Sequence, residues 1–142
     1  MSRANNPLLD PARRSPETQL VHGGTHRTEF NETSEALFLN SGYSYPSSDH
    51  AERLFKGEIP GAHNYSRFAN PTVDVLQTRM ALLEGAEAAR GFATGMAAVT
   101  DAVMSQVRAG DHIVASRALF GGCRFVVEDF MPRYGVSSTL VD

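Results

Sequence analysis

Hydrophobic and polar positions follow a regular pattern only from about residue 70 onward. Four apolar residues there recur at the spacing of one helix face: Val73, Leu76, Met80 and Leu83. Asn70 is a residue type that caps helices, Pro71 suits the first helical turn, and Gly85 is a typical helix stop. The pattern predicts an amphipathic helix between Asn70 and Gly85.

Beyond this helix the pattern alternates between strand-like and helix-like segments. Short apolar runs predict strands at 89–93, 112–115 and 136–141, and helical spacing predicts helices at 95–108 and 122–134. The expected inward residues of these two helices are Met96, Val99, Val103 and Val107, and then Val126, Val127, Phe130 and Tyr134. Strands and amphipathic helices that alternate at this interval indicate an α/β fold with a parallel sheet and right-handed crossovers.

The first 68 residues have a different composition. They contain five of the seven prolines, with five glycines scattered among them, and these residues favour turns and short pieces over a regular core. We therefore divide the chain into an irregular arm at 1–68, ordered by packing on a neighbouring subunit, and the first part of an α/β domain at 69–142. The last predicted strand reaches Asp142 without a covering helix, so we expect these residues to be the N-terminal part of a longer protein.

Composition argues against several classes of function. The net charge of −3 implies no basic face for nucleic acid. No stretch approaches the roughly 20 apolar residues of a membrane span, and the N-terminus lacks the apolar segment of a secretory signal. The single cysteine, Cys123, fits a reducing compartment, so we expect a cytoplasmic protein. The five histidines are dispersed, and we predict no metal site.

Two segments that follow predicted strands are candidate ligand sites, because ligands of open α/β sheets bind at the carboxyl ends of strands. After Thr94, the free backbone N–H groups of Gly95, Met96 and Ala97 and the helix dipole suit an anion, although a plain strand-to-helix turn explains the same residues. Phe120 offers an aromatic ring for stacking on a flat ligand, and the simpler interpretation is a core phenylalanine beside a glycine turn.

A third candidate site lies in the arm. Tyr65 and Arg67 are two residues apart, so an extended backbone would place both side chains on the same side. The guanidinium offers a planar fork for a phosphate or carboxylate, and the tyrosine hydroxyl adds a donor. For such a pair taken alone, a solvent-exposed arginine beside a packed tyrosine is the alternative.

The order of these segments resembles a known enzyme family. Tyr-Ser-Arg-x-x-Asn-Pro-Thr at 65–72, Thr-Gly-Met-Ala-Ala at 94–98 and Phe-Gly-Gly at 120–122 are similar to motifs of the Cys/Met-metabolism enzymes that depend on pyridoxal 5′-phosphate (PLP). Thr-Gln-Leu-Val-His-Gly-Gly at 18–24 is similar to their N-terminal signature. The resemblance implies the N-terminal part of an aspartate aminotransferase-like, fold type I large domain. It also implies a homotetramer that acts on a small amino-acid substrate of trans-sulfuration or methionine biosynthesis.

The resemblance also implies roles for individual residues. Gly95 and Met96, with Thr94 beside them, bind the PLP phosphate through backbone N–H groups. Tyr65 and Arg67 reach the phosphate in a neighbouring subunit. Phe120 stacks on the pyridine ring, at a position where most of the family has tyrosine, and the sequence around it is most similar to O-succinylhomoserine sulfhydrylases.

The lysine count limits what these residues do alone. PLP enzymes of this kind need a Schiff-base lysine, which the family places in a Ser-x-Thr-Lys segment further along the chain. The sequence contains a single lysine, Lys56, which lies in the arm and does not match that segment. We therefore assign no catalytic residue within this chain and expect the chain by itself to be inactive.

Three hypotheses of function remain open from the residues. The first is an O-succinylhomoserine sulfhydrylase, which replaces succinate by sulfide to give homocysteine; cystathionine γ-synthase, cystathionine lyase and methionine γ-lyase are neighbouring alternatives. The second is a non-catalytic truncated product. The third is a Rossmann-like nucleotide-binding domain built on Gly91 and Gly95, which lacks the third glycine of that motif.

Overall fold

The structure, a computed structural model, describes residues 14–142, so the first thirteen residues of the predicted arm lie outside it. The chain divides into two compact units, one that ends at Arg90 and one that spans Gly91–Asp142. Within 14–142, no helix is long and apolar enough to cross a bilayer. The same range contains no group of three or more His, Cys, Asp or Glu side chains placed to hold a metal ion.

Within residues 14–90, the first unit contains three helices. They are α1 (Pro16–His22), α2 (Ser48–Phe55) and α3 (Pro71–Glu84). Each follows a residue whose side-chain oxygen accepts a backbone N–H bond from the first turn, namely Ser15, Ser47 and Asn70. Helix α3 confirms the predicted helix, with its cap at Asn70 and a left-handed stop at Gly85, where φ is 59°.

The glycine pair after α1 allows that helix to pack against α3. A side-chain carbon at Gly23 would lie 2.7 Å from Leu82 Cδ1, and one at Gly24 would lie 2.8 Å from Thr78 Cβ. Gly24 also has a φ of 67°, a conformation that other residues rarely adopt. The two glycines of the N-terminal signature therefore permit an approach that larger residues would prevent.

Arg79 of α3 holds the same connection in place. Its Nε donates to the Gly23 carbonyl at 3.1 Å, and its Nη2 donates to the Val21 carbonyl at 2.8 Å. The guanidinium also pairs with the Glu35 carboxylate. Because helix C-termini leave carbonyls without intrahelical partners, these bonds stabilise the end of α1.

The second unit contains two helices and two strands. They are α4 (Gly95–Met104), β1 (His112–Ser116), α5 (Gly121–Phe125) and β2 (Ser137–Val141). Helix α5 continues directly into a π-helical turn at Val126–Phe130 and a 3₁₀ turn at Met131–Tyr134. The strands are parallel, with His112 opposite Ser137 and Ser116 opposite Val141. This β-α-β unit confirms the predicted parallel pairing.

The core of the second unit lies between the sheet and the helices. Val126, Met131 and Val136 are at most 3% exposed, and the residues packed against them are Met96, Val103, Val107, Ile113 and Phe130. Met131 is the most buried of these three, at 1%, whereas Tyr134, an expected inward residue, is 53% exposed. The π-helical turn explains the difference, because its wider turn rotates the helix face away from regular 3.6-residue spacing.

Two predicted elements differ from the structure. Residues 89–93 form no strand, because no segment within 14–142 pairs with them and a strand requires a neighbouring ladder. The predicted helix at 95–108 ends at Met104. Beyond it, the Arg108 N–H donates to Asp111 Oδ2 at 2.7 Å instead of to a helical carbonyl, and the Ser105 hydroxyl donates to the Ala102 carbonyl.

Candidate functional site

The N-terminus of α4 faces solvent and offers hydrogen-bond donors. Thr94 caps the helix, since its Oγ1 accepts the Ala97 N–H at 3.1 Å. The N–H groups of Gly95 and Met96 have no acceptor within 14–142. A side-chain carbon at Gly95 would meet nothing within 4 Å. These donors and the positive end of the helix dipole together favour an anion, while the Ala97 N–H, which the sequence suggested was also free, is already bonded.

Phe120 lies between the end of β1 and the start of α5. Its side chain is 75% exposed, so it is not a core phenylalanine. Its carbonyl accepts the Arg124 N–H at 2.9 Å, which fixes the backbone at the helix start. An exposed ring beside the carboxyl end of a parallel strand is suited to stacking on a flat ligand.

Gly122 brings the two parts of this site together. A side-chain carbon at Gly122 would lie 2.8 Å from Met96 Sδ and 3.1 Å from Phe120 Cε1. The Met96 side chain and the Phe120 ring therefore adjoin the same glycine. This places the open N-terminus of α4 and the exposed aromatic ring next to each other in one unit.

Arg124, one turn further along α5, forms an ion pair with Glu128. The hydrogen bond that the Arg124 guanidinium donates to the Glu128 carboxylate raises the pKa of Arg124. Both side chains are substantially exposed, so solvent screens the pair and its contribution to stability is small.

The structure also brings Tyr65 and Arg67 together in the first unit. The Arg67 guanidinium lies 5.4 Å from the centroid of the Tyr65 ring and 4.3 Å from that of the Phe68 ring. Tyr65 forms an antiparallel bridge with Gly42, but the chain then turns, since the Phe68 N–H donates to the Tyr65 carbonyl at 2.9 Å. The predicted extended segment is therefore a turn, and cation–π contacts keep the two side chains together.

Asn70 has contacts that the sequence did not indicate beyond its role as a helix cap. It is 6% exposed, and its Oδ1 accepts the Thr72 N–H at 2.9 Å. Its Nδ2 donates to the Phe38 carbonyl at 3.0 Å and to Ser66 Oγ at 2.9 Å. The residue type is the only sequence signal for these additional hydrogen bonds. A buried amide must satisfy both its donors and its acceptor, so a buried asparagine is expected to have further partners.

Lys56 lies in surroundings that do not suit a covalent link to a cofactor. It follows the last residue of α2, and its Nζ forms an ion pair with Glu52 at 2.5 Å. Its side chain is 57% exposed. A surface ammonium paired along its own helix has the environment of a solvated charge.

The described residues fit a phosphate joined to a flat ring. Unpaired N–H groups and a helix N-terminus suit the phosphate, and the neighbouring exposed aromatic ring suits the heterocycle. The family model for Cys/Met-metabolism PLP-dependent enzymes matches residues 17–142. The chain belongs to this family. The recognition made from the sequence motifs is thus confirmed, as is PLP as the family's cofactor.

Two relatives show how far the similarity to this PLP-dependent family extends. An O-succinylhomoserine sulfhydrylase of Mycobacterium tuberculosis is 45% identical over 99% of this chain and 34% of its own length. Another protein of that name, from Pseudomonas aeruginosa, is 41% identical over 84% of this chain and 30% of its own length. The chain therefore spans about a third of the curated relatives it matches.

A solved structure of the family confirms the predicted fold class. It is a putative O-acetylhomoserine (thiol)-lyase of Campylobacter jejuni, which contains an N′-pyridoxyl-lysine-5′-monophosphate residue. It aligns with a TM-score of 0.85 and 29% identity over 91% of this chain and 31% of the other. The chain has the α/β fold of the N-terminal part of a fold type I large domain.

Proposed function

We propose that this chain forms the phosphate-binding and ring-stacking part of an O-succinylhomoserine sulfhydrylase. In this reaction the Cγ–O bond to succinate breaks, a Cγ–S bond to sulfide forms, and homocysteine is the product. The observation that carries the proposal is the position of the open α4 N-terminus beside the exposed ring of Phe120, at Gly122. The 45% identity to a relative of that name supports the choice of substrate.

The α4 N-terminus binds the phosphate in this proposal. The N–H groups of Gly95 and Met96 donate to phosphate oxygens. The Thr94 hydroxyl, whose oxygen already accepts the Ala97 N–H, directs its hydrogen toward the same anion. The helix dipole adds a favourable interaction with the negative charge.

Phe120 covers one face of the heterocycle. Its ring excludes water from that face and fixes the orientation of the plane. Since phenylalanine has no hydroxyl, it moves no proton during the reaction. Bound PLP supplies the covalent link to the substrate amine and the electron-accepting ring.

Tyr65 and Arg67 complete the phosphate site of a neighbouring subunit in a homotetramer. The guanidinium stacks on the rings of Tyr65 and Phe68, which leaves its N–H edge available for phosphate oxygens. The arm at 1–68 of one subunit then supplies Tyr65 and Arg67 to the phosphate site. The α/β part at 69–142 of the neighbouring subunit supplies the N-terminus of α4 to the same site.

The Schiff-base lysine comes from sequence outside residues 1–142 in this proposal. Lys56 is exposed and paired with Glu52, and no other lysine is present in the sequence. Residues 1–142 alone therefore bind and orient but supply no amine for the proton transfers.

The test uses the full-length gene product, purified with PLP. We expect sulfide-dependent release of succinate and formation of homocysteine from O-succinylhomoserine, with a higher kcat/KM than for O-acetylhomoserine. Residues 1–142 expressed alone are the matched control and should show no turnover. Release of methanethiol from methionine in place of this reaction would indicate a methionine γ-lyase and contradict the proposal.

A further inference from the structure

Asn70 connects three segments of the first unit. Its Nδ2 donates to Ser66 in the turn that carries Tyr65 and Arg67, and to the carbonyl of Phe38 in the preceding segment. Its Oδ1 caps α3 through Thr72. A helix cap requires only the acceptor oxygen, so the two donated bonds are additional to capping.

The Ser66 hydroxyl acts as an acceptor toward Asn70, because its own hydrogen is donated to a backbone carbonyl. The Ser66 hydroxyl donates to the Asn40 carbonyl at 2.5 Å, so its oxygen is free to accept from Asn70 Nδ2. The Ser66 N–H donates to the Ser41 carbonyl at 2.9 Å. Ser66 is therefore held from both its backbone and its side chain, between the two residues proposed to grip phosphate.

A second bond joins the same outer segments without involving the turn. The Phe38 N–H donates to Thr72 Oγ1 at 2.9 Å. Loss of this bond would loosen the packing of Phe38 on α3 and leave the contacts of Ser66 intact. Asn70 and Thr72 thus differ in whether they contact the turn at 65–69.

We propose that Asn70 is a positioning residue for cofactor binding, which acts through Ser66 to fix Tyr65 and Arg67. The inference rests on the proposed phosphate grip by these two side chains. The carboxamide is suited to this role because its N–H groups face three oxygen atoms and its own oxygen accepts an N–H. The three oxygens are the Phe38 carbonyl, Ser66 Oγ and, at 3.5 Å, the Tyr43 hydroxyl. A carboxylate would keep the cap but place an oxygen against the Phe38 carbonyl. The Ser66 hydroxyl could donate to that carboxylate only by giving up its bond to the Asn40 carbonyl.

The experiment compares Asn70→Asp with Thr72→Val in the full-length gene product. The dissociation constant for PLP is measured by titration of the apoprotein, and thermal unfolding of the apoprotein is followed separately. We expect both variants to unfold at lower temperature, because each loses a bond between Phe38 and α3. Only Asn70→Asp should weaken PLP binding, by about tenfold, the effect of one or two lost hydrogen bonds.

A double-mutant cycle with Ser66→Ala distinguishes positioning from general stability. If Asn70 acts through Ser66, the double variant should bind PLP about as weakly as either single variant. Additive losses, equal losses of PLP affinity for Asn70→Asp and Thr72→Val, or unchanged affinity in Asn70→Asp would overturn the inference. A wild-type protein that binds PLP but releases no succinate would refute the proposed substrate and leave this inference standing.

Discussion

The two adjacent glycines at the start of α5 have different surroundings. A side-chain carbon at Gly121 would meet nothing within 4 Å, whereas one at Gly122 would approach Met96 Sδ at 2.8 Å. The atoms near Gly122 belong to flexible side chains, so an added methyl group displaces them instead of the backbone. The position of the Phe120 ring therefore depends on the absence of a side chain at Gly122.

The substitution Gly122→Ala should weaken PLP binding by about three- to tenfold, the range expected when an aromatic stacking contact is lost. The measurement is a PLP titration of the full-length apoprotein. Gly121→Ala is the matched control, because it adds the same methyl group one residue away in open space, and its PLP affinity should equal that of the wild type. Equal losses in both variants would show that helix geometry, and not the ring, determines the affinity.

Single residues differ in how well the sequence indicates their contacts. Phe120 and Gly95 were recognisable because short motifs place them after a strand and at a helix start. The wider contacts of Asn70 were not, since its partners Phe38 and Asn40, reached directly and through Ser66, lie about 30 residues earlier in the chain. A helix cap can be predicted from the neighbouring residues, but the distant carbonyl to which a buried amide donates cannot.

The starts of α3 and α4 were predictable because a capping residue precedes an apolar pattern at helical spacing. The serine-capped helices α1 and α2 were not predicted, and α5 begins without a side-chain cap. Thr94 and Asn70 are caps of α4 and α3, and both are followed by the expected first turn. Helix ends and faces depend on tertiary contacts and were predicted less well. Val73, Leu76, Met80 and Leu83 are 39–55% exposed, and the buried residue of α3 is Val75, at 8%.

Strand prediction shows the same dependence on contacts. β1 and β2 formed where the apolar pattern placed them, because each supplies the other's hydrogen-bond ladder. The run at 89–93 has similar apolar content but no partner within the described range. Propensity alone does not make a strand.

The substitution Thr94→Ala should lower the free energy of unfolding by about 1 kcal/mol, because it removes the cap bond to the Ala97 N–H. Urea denaturation of the full-length protein, followed by circular dichroism, provides the measurement. Thr94→Ser keeps the capping oxygen and should unfold near the wild-type midpoint. If Thr94→Ala has the wild-type midpoint while PLP affinity falls, the hydroxyl serves the ligand and not the helix.

The described chain as a whole exposes much apolar surface. On the sheet, Val114 is 65% and Val141 is 44% exposed, since helices cover only one face. An apolar groove of about 320 Å³ between α4 and α5 is lined in part by Phe125 and Phe130. Monomeric proteins rarely leave extended apolar surface open, so these surfaces favour association with further polypeptide. The extent of this exposure was not predictable from the sequence, because the identity of an apolar residue does not show which other residues cover it.

Residues 1–142 expressed alone should therefore bind the apolar dye 1-anilinonaphthalene-8-sulfonate and self-associate in sedimentation experiments. Val114→Thr tests the open face of the sheet: it removes apolar surface but keeps a β-branched side chain, so dye binding should decrease without loss of secondary structure. Val136→Thr makes the same chemical change at a residue that is 2% exposed. It should destabilise the fold by about 1–3 kcal/mol, because the new hydroxyl is buried at a site that held an apolar side chain. Dye binding should then increase. Opposite responses from one substitution at two sites would locate the exposed apolar surface on the sheet, whereas equal responses would mean that the isolated chain does not retain this core.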